Sequence, residues 1–343
     1  TSSASAVAPT LMPARPNAPR KSSAKTSPAS IGSGLASSSA VTAKNNRESA
    51  RRLATEALHH DLHHHRRLPL PRQVPIVAVR GMKDIKGYNA LVTGGTSGMG
   101  WEYCQQLAAM GCNILMVSIQ KDLLETLPQT LSSTYGIQAW GLYKDLSQES
   151  AADEIWDYCQ EQHLAIDILV NNAGMFFFHE IDTATQDKAL AMLSLHVVTP
   201  TRLTMLFGEA MKSRRRGFIV NMSSMTAQLP TPGITMYAAT KAYMKSYSKS
   251  LYFEMAAYNV GVTTVLPAAI ATPLYQMTPR LMKMGVAIGL IHTPHWLVKR
   301  ALRGMLHRRH VVKPGIMNYL LPLLIKLLPN PIEKKIWNKA NHR

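Results

Sequence analysis

Three polar side chains in the second half of the chain have types and spacing suited to proton transfer. Ser224 lies 13 residues before Tyr237, and Lys241 follows that tyrosine by four residues. Residues four apart project from one face of a helix, so Tyr237 and Lys241 are expected to be neighbours. A free phenol, with a pKa of about 10, is a poor base at neutral pH, but a nearby ammonium favours the phenolate. The spacing predicts a tyrosine that exchanges a proton with a substrate oxygen, although such pairs also occur on ordinary helix surfaces.

A glycine-rich segment earlier in the chain predicts a phosphate site. Thr93-Gly94-Gly95-Thr96-Ser97-Gly98-Met99-Gly100 separates a short apolar run from a stretch with helical spacing. In a strand–turn–helix, Gly94 permits the tight turn, Gly98 admits a pyrophosphate to the backbone, and Gly100 allows close helix packing. The helix N-terminus adds unpaired N–H groups and the positive end of the dipole. Glycine clusters also make ordinary turns, so the prediction depends on this context.

Apolar runs alternate with helical periodicities along the middle of the chain. The runs predict strands at residues 88–92, 113–118, 139–143, 166–170, 217–222 and 261–266. The periodicities predict helices at residues 98–110, 122–131, 150–163, 185–211 and 236–258. This alternation indicates an α/β fold, a single domain with a Rossmann-like, doubly wound parallel sheet that binds ligands at the carboxyl ends of its strands.

The order of the motifs resembles the short-chain dehydrogenase/reductase family. That family has a glycine-rich turn, an Asn-Asn-Ala-Gly segment (here residues 171–174), a serine and a Tyr-x-x-x-Lys in this order, and the resemblance covers residues 84–275. It implies an oxidoreductase that interconverts a carbonyl and an alcohol with a nicotinamide cofactor. Ser224 would orient the carbonyl, Tyr237 would pass the proton, and Lys241 would also hold the nicotinamide ribose. The alternative is a catalytically idle dinucleotide-binding sensor or scaffold with the same fold, which the intact Ser, Tyr and Lys disfavour.

The resemblance also implies the residues that contact the cofactor. They are Gly94, Thr96, Ser97, Gly98, Met99, Gly100, Lys121, Asp145, Asn171, Ala173, Gly174, Tyr237, Lys241 and Thr272. Asp145 would meet the adenine and Thr272 the carboxamide. No acid at the end of the second strand is placed to bind a ribose 2′-hydroxyl, and a lysine follows slightly late, which favours NADP(H) over NAD(H).

Two further segments bear on the substrate and on proton transfer. Residues 274–298, where the family has its substrate lid, are apolar and rich in methionine, which suits an apolar small-molecule carbonyl or alcohol. Packing of these residues on the core is the alternative. The family's active-site asparagine falls at His196, whose imidazole could hold the relay water and shuttle protons, making it a fourth candidate catalytic residue. A structural helix histidine is the alternative there.

The net charge of +18 is confined to the two ends of the chain. Residues 1–80 carry a net charge of +9 and residues 299–343 a net charge of +10, whereas residues 81–298 carry −1. A neutral central domain argues against nucleic-acid binding. No metal site is expected, because the 3 cysteines form no Cys-x-x-Cys pair and the histidine cluster at residues 59–65 lies in a polar linker.

The ends predict targeting and attachment. Residues 1–50 hold 12 Ser and 11 Ala and no acid before Glu48, so residues 1–80 resemble a disordered transit peptide and linker, plastid rather than mitochondrial. A generic disordered tail is the alternative. After a domain at residues 81–310, residues 311–343 form an apolar and basic helical tail, whose apolar segment, residues 316–328, is too short and too interrupted to span a bilayer. This tail is expected to contact an anionic membrane surface or, alternatively, a dimer or lid surface. Assembly as a homodimer or homotetramer is left open.

Overall fold

The short apolar runs form a parallel sheet in the computed structural model, which describes residues 84–229, 232–268, 292–326 and 331. Within these residues the seven strands lie in the order β3-β2-β1-β4-β5-β6-β7, and every pairing is parallel. The strands are β1 Asn89–Thr93, β2 Asn113–Ser118, β3 Ala139–Tyr143, β4 Ile166–Asn171, β5 Gly217–Met222, β6 Val260–Val265 and β7 Val311–Val312. The predicted α/β fold with a doubly wound parallel sheet is confirmed.

Helices cover both faces of the sheet. They are α1 Gly98–Ala109, α2 Lys121–Tyr135, α3 Ala151–Glu161, α4 Gln186–Leu193, α5 Thr199–Arg214, α6 Thr235–Ala256, α7 Pro294–Leu306 and α8 Met317–Lys326. Neighbouring strand residues alternate between two apolar clusters: Val92 packs in one and Leu91 in the other. Every residue of β4, β5 and β6 is buried, which explains why the sequences of these strands are largely apolar.

The helix predicted over residues 185–211 is three helical segments. A π-helical turn, Ser194–Val198, joins α4 to α5, and the Thr199 N–H bonds back to the Ser194 carbonyl, five residues earlier. The continuous helical run Thr183–Arg214 is long and apolar enough to cross a membrane by length and composition alone. Its apolar side chains Leu203 and Phe207 are nevertheless buried against the sheet, as in the core helix of a globular domain.

The end of the described chain adds one strand and two helices to the fold. Thr293 caps α7 by accepting the Trp296 N–H at 3.3 Å, and Leu297 and Val298 are buried in the core. Of residues 294–298, predicted to lie in a substrate lid, Leu297 and Val298 pack in the core, whereas His295 is exposed. Residues 274–291 of that lid lie outside the described residues. Strand β7 pairs with β6 and so extends the sheet just beyond residue 310, the predicted end of the domain.

The predicted extension at residues 1–80, including the histidine cluster, also lies outside the described residues. In the part of the chain that the structure describes, no three His, Cys, Asp or Glu side chains converge to hold a metal ion. The predicted motifs meet at the carboxyl edge of the sheet.

Candidate active site

The glycine-rich turn joins β1 to α1 and leaves a helix N-terminus open. Gly94 and Gly98 have φ angles of +66° and +52°, a region that side chains disfavour. A Cβ on Gly100 would lie 1.9 Å from the Gly94 carbonyl oxygen, so only glycine allows this close approach. Ser97 is the N-cap of α1 but its side chain makes no capping hydrogen bond, which leaves the first helical N–H groups available. This geometry fits a dinucleotide pyrophosphate.

The end of β2 carries hydroxyl and amide groups in place of a carboxylate. The Thr96 hydroxyl lies 2.7 Å from the Ser118 hydroxyl and donates to Gln120 Oε1 at 2.6 Å. Lys121 begins α2, and its ammonium lies 4.6 Å from the centre of the Tyr143 ring. The end of β2 therefore presents neutral groups with one cation close by.

Asp145 follows β3, the neighbouring strand. Its carboxylate accepts the Ser147 backbone N–H at 2.9 Å and the Ser147 hydroxyl at 2.7 Å. These hydrogen bonds lower the pKa of Asp145, so the group is ionised at neutral pH. The carboxylate therefore fixes the loop after β3 beside the end of β2.

Two asparagines after β4 tie the sheet together at the same edge. Asn172 Nδ2 donates to the Thr93 carbonyl at 2.9 Å, and the Thr93 hydroxyl accepts the N–H groups of Asn172 and Ala173 at 3.0 Å each. Asn171 Nδ2 donates to Asn221 Oδ1 at 2.8 Å and to Thr204 Oγ1 at 3.2 Å. The Asn171 amide nitrogen thus crosslinks the interior, because two buried acceptors hold it.

Ser224 caps a 3-10 turn, Met225–Gln228, directly after β5. Its Oγ accepts the Thr226 N–H at 3.2 Å. A hydroxyl carries one donor besides its acceptor lone pairs, so the Ser224 hydrogen can still be given to a substrate oxygen. The turn packs against α6, the helix that carries Tyr237 and Lys241.

Tyr237 and Lys241 lie one turn apart on the buried face of α6. The Lys241 ammonium donates to the Met222 carbonyl at 3.1 Å and lies 5.7 Å from the centre of the Tyr237 ring. Burial lowers the pKa of Lys241 to about 8, so the side chain is largely charged at neutral pH. A cation at this distance favours ionisation of the phenol. Tyr237 and Lys241 therefore have the arrangement that the sequence predicts for proton exchange.

His196 lies in the π-helical turn, buried behind Tyr237. Its Nε2 accepts the Met175 backbone N–H at 3.0 Å, so the ring proton is on Nδ1, which lies 3.0 Å from Thr240 Oγ1. Thr240 passes its own hydrogen to the Tyr237 carbonyl at 2.8 Å. Burial lowers the pKa of His196 well below its usual value, which keeps the imidazole neutral. With both nitrogens engaged by the protein, this geometry favours the structural histidine over the proton relay.

An apolar cavity of about 390 Å³ opens beside Tyr237. It lies between the segment after β4, helix α4 and the start of α6, and its apolar lining includes Phe177, Ile181, Leu190, Met192 and Ile234. Phe176 packs edge-on against the Tyr237 ring at 5.1 Å, at the inner end of this region. The cavity can enclose an apolar group attached to an atom that Tyr237 reaches.

A protein-family comparison matches residues 88–281, more than half of the chain, to the model of the short chain dehydrogenases. The chain belongs to the short-chain dehydrogenase family. The matched range contains the glycine-rich turn, the asparagine pair, Ser224, Tyr237 and Lys241.

Relatives of the short-chain dehydrogenase agree with this assignment. Hydroxysteroid dehydrogenase-like protein 1 of Gallus gallus is 33% identical over 186 residues, 53% of this chain and only 56% of that protein. Very-long-chain 3-oxoacyl-CoA reductase of Homo sapiens is 30% identical over 259 residues, 74% of this chain and 79% of that protein. A solved short-chain dehydrogenase from Sphingobium yanoikuyae in complex with NADPH is 25% identical, with a TM-score of 0.61, and the match covers 73% of this chain and 95% of that chain.

Most site residues predicted for this short-chain dehydrogenase converge at one edge of its sheet, and Thr272 lies outside the described residues. Two residues of the site were not predicted from the sequence. Gln120 lies two residues after β2, and only this position next to a strand end could have indicated its role. Thr240 links His196 to the backbone of Tyr237 and has no motif of its own, because its partner lies 44 residues away.

Proposed function

We propose that the protein is an NADP(H)-dependent oxidoreductase that interconverts a carbonyl and an alcohol on an apolar small-molecule substrate. The observation that carries this proposal is the meeting of Ser224, Tyr237 and Lys241 at the carboxyl edge of the sheet, beside the open N-terminus of α1. One face of this site fits a dinucleotide and the other is apolar.

Each of the three side chains has a distinct task in carbonyl reduction. Ser224 donates its hydroxyl hydrogen to the carbonyl oxygen and fixes its position. Tyr237 gives a proton to that oxygen as negative charge develops on it, and the Lys241 ammonium lowers the cost of the resulting phenolate. A bound nicotinamide cofactor supplies the hydride to the carbonyl carbon. Alcohol oxidation is the same sequence reversed.

The preference for NADP(H) over NAD(H) is supported by the end of β2. Thr96, Ser118 and Gln120 present neutral groups there, and Lys121 adds a cation. A ribose 2′-phosphate is tolerated by such an edge, whereas a carboxylate would be expected for a 2′-hydroxyl. The Sphingobium structure named as an NADPH complex supports the same choice.

An apolar ketone, aldehyde or acyl-linked keto group is the proposed substrate. The cavity of about 390 Å³ beside Tyr237 has an almost wholly apolar lining, which favours an alkyl or ring system over a sugar. The names of the two relatives, a hydroxysteroid dehydrogenase-like protein and a very-long-chain 3-oxoacyl-CoA reductase, agree with bulky apolar substrates.

The test is a panel of apolar carbonyl compounds assayed with the purified protein and either NADPH or NADH. We expect NADPH oxidation with at least one compound. In the Tyr237→Phe variant we expect unchanged NADPH binding and a loss of turnover of about 10²–10⁴-fold, because only the proton donor is removed. Binding of NADPH without turnover on any compound would favour the idle sensor or scaffold, and normal turnover in Tyr237→Phe would remove Tyr237 from its assigned role.

The composition of residues 1–50 supports an organellar location, with plastid favoured over mitochondrion. Import of the full chain into isolated organelles tests this location. Assembly as a homodimer or homotetramer stays a prediction that sedimentation of the purified protein can check.

A further inference from the structure

Helix α8 exposes a continuous apolar stripe. Ile316, just before the helix, and four residues within it occur at spacings of three and four, which place them on one face. The stripe consists of Ile316, Tyr319, Leu320, Leu323 and Leu324, which are between 45% and 69% exposed. Five large apolar side chains that share one open face of a short helix form a patch, in contrast to isolated exposed residues.

The opposite face of α8 holds the helix to the domain. Asn318 is buried, and its Nδ2 donates to the Pro314 carbonyl at 2.5 Å. Lys313 Nζ donates to Gln228 Oε1 at 2.7 Å, and Gln228 Nε2 donates to the Asn318 carbonyl at 3.5 Å. Gln228 ends the 3-10 turn that Ser224 begins. The stripe is therefore fixed with respect to the turn that carries Ser224.

Two lysines flank the stripe. Lys313 precedes α8 and its Nζ lies 5.7 Å from the centre of the Tyr319 ring, Lys326 ends the helix, and residues 311–326 contain no Asp or Glu. A second copy of the chain would bring these like charges together, which disfavours association through the stripe. An anionic lipid surface offers both a complementary charge and an apolar layer for the stripe.

We propose that α8 docks the protein on an anionic bilayer, with the stripe buried at the boundary between headgroups and acyl chains. A helix of 10 residues is about 15 Å long, half of the ~30 Å hydrocarbon core, so it lies in the plane of the membrane. Tyr319 suits this position, because its ring is apolar and its hydroxyl can remain in the headgroup layer. The proposal rests on the geometry of α8 and is independent of the reductase activity.

The docking surface adds a consequence for substrate access. Because α8 packs on the turn that follows Ser224, docking would hold the active-site edge close to the lipid surface. An apolar carbonyl compound dissolved in the bilayer would then reach the site without crossing much water.

The test is flotation of the full-length protein with phosphatidylcholine vesicles, with and without phosphatidylserine, in the absence of cofactor and substrate. We expect binding to the anionic vesicles at low salt and weaker binding at high salt. The double variant Leu320→Glu with Leu323→Glu should reduce binding by about tenfold or more. The control is Met205→Glu with Phe253→Glu, which changes the charge equally at side chains 66% and 65% exposed on α5 and α6, and it should bind like the unmutated protein.

Several results would overturn the proposal. They are no flotation of the unmutated protein, equal binding to neutral vesicles, or equal loss in both double variants when melting curves show them folded. Conversion of a dimer to a monomer by the α8 variant alone, without flotation, would assign the stripe to a second copy. Failure of flotation leaves the carbonyl-panel result untouched, so the two proposals fail separately.

Discussion

Replacement of His196 gives two measurable effects whose sizes follow from its burial and its hydrogen bonds. The folded-state pKa of His196 lies well below the unfolded value of about 6.5, so the unfolded chain binds a proton more tightly. Stability is therefore lost as the pH falls below about 6.5. His196→Asn cannot titrate, so between pH 7.5 and 5.5 it should lose less stability than the unmutated protein, with an upper limit of about 1.4 kcal/mol per pH unit for one proton.

The second effect concerns the contacts that the imidazole makes. His196→Leu leaves the Met175 N–H without its acceptor, which should cost about 1–3 kcal/mol, whereas the Thr240 hydroxyl loses a donor but still donates to the Tyr237 carbonyl. His196→Asn retains one acceptor and one donor, so its stability should lie between those of the unmutated protein and His196→Leu. If His196 only positions the segment after β4, the pH profiles of kcat/KM for the unmutated protein and His196→Asn should have the same shape.

Urea denaturation at the two pH values, together with pH–rate profiles, measures both effects. His163→Asn is the control, because His163 is exposed and its φ of +53° suits asparagine. Two results would refute the reasoning: equal acid destabilisation in the unmutated protein and His196→Asn, or an apparent group near pH 6–7 in the rate profile that disappears in His196→Asn. The second result would restore the proton relay.

Two other substitutions test the nucleotide side of the site. Gln120→Glu preserves an acceptor for the Thr96 hydroxyl but repels a 2′-phosphate, so the ratio of kcat/KM for NADPH to that for NADH should fall by about tenfold or more. As a control, Gln138→Glu at an exposed position should leave this ratio unchanged. An unchanged ratio in Gln120→Glu would mean that residues other than Gln120 determine the cofactor preference. Gly100→Ala should lower stability by about 3 kcal/mol and weaken NADPH binding, because its Cβ meets the Gly94 oxygen at 1.9 Å. Gly136 has open space around it but a φ of +67°, so Gly136→Ala should lower stability by only about 1–2 kcal/mol and leave NADPH binding intact. Equal effects of Gly100→Ala and Gly136→Ala would contradict the steric argument.

The strands were predictable because most of their residues are apolar and buried, and polar residues such as Asp167, Asn221 and Thr264 interrupt these runs only singly or in pairs. The six predicted strands agree with the structure to within one residue at each end. Strand β7 has only two residues, Val311 and Val312, too few for a pattern. The π-helical turn was missed for a different reason. It widens the helix by one residue, and this change is stabilised by the contacts of His196 with Met175 and Thr240, which local periodicity cannot reveal.

In the candidate site, too, local sequence patterns were predictive, whereas contacts between distant residues were not. Ser224, Tyr237 and Lys241 were identified because proton transfer restricts both residue type and spacing. The crosslinking role of Asn171 was not predicted, since its amide nitrogen bonds to Asn221 and Thr204, which lie on other elements. Packing on the core was the alternative to a lid for residues 294–298, and apolar composition alone could not show that Leu297 and Val298 lie in the core.

The bond between the glycine-rich turn and the end of β4 has a consequence for synthesis of the chain. Thr93 receives its partners from Asn172 and Ala173, about 80 residues later. At about 5–20 residues per second, a ribosome needs roughly 4–16 s to add that stretch. During this interval one edge of β1 has no neighbour, so a chaperone that covers apolar strands would act there. A nucleotide that contacts both the glycine-rich turn and the segment after β4 can bind only after this second segment has been made.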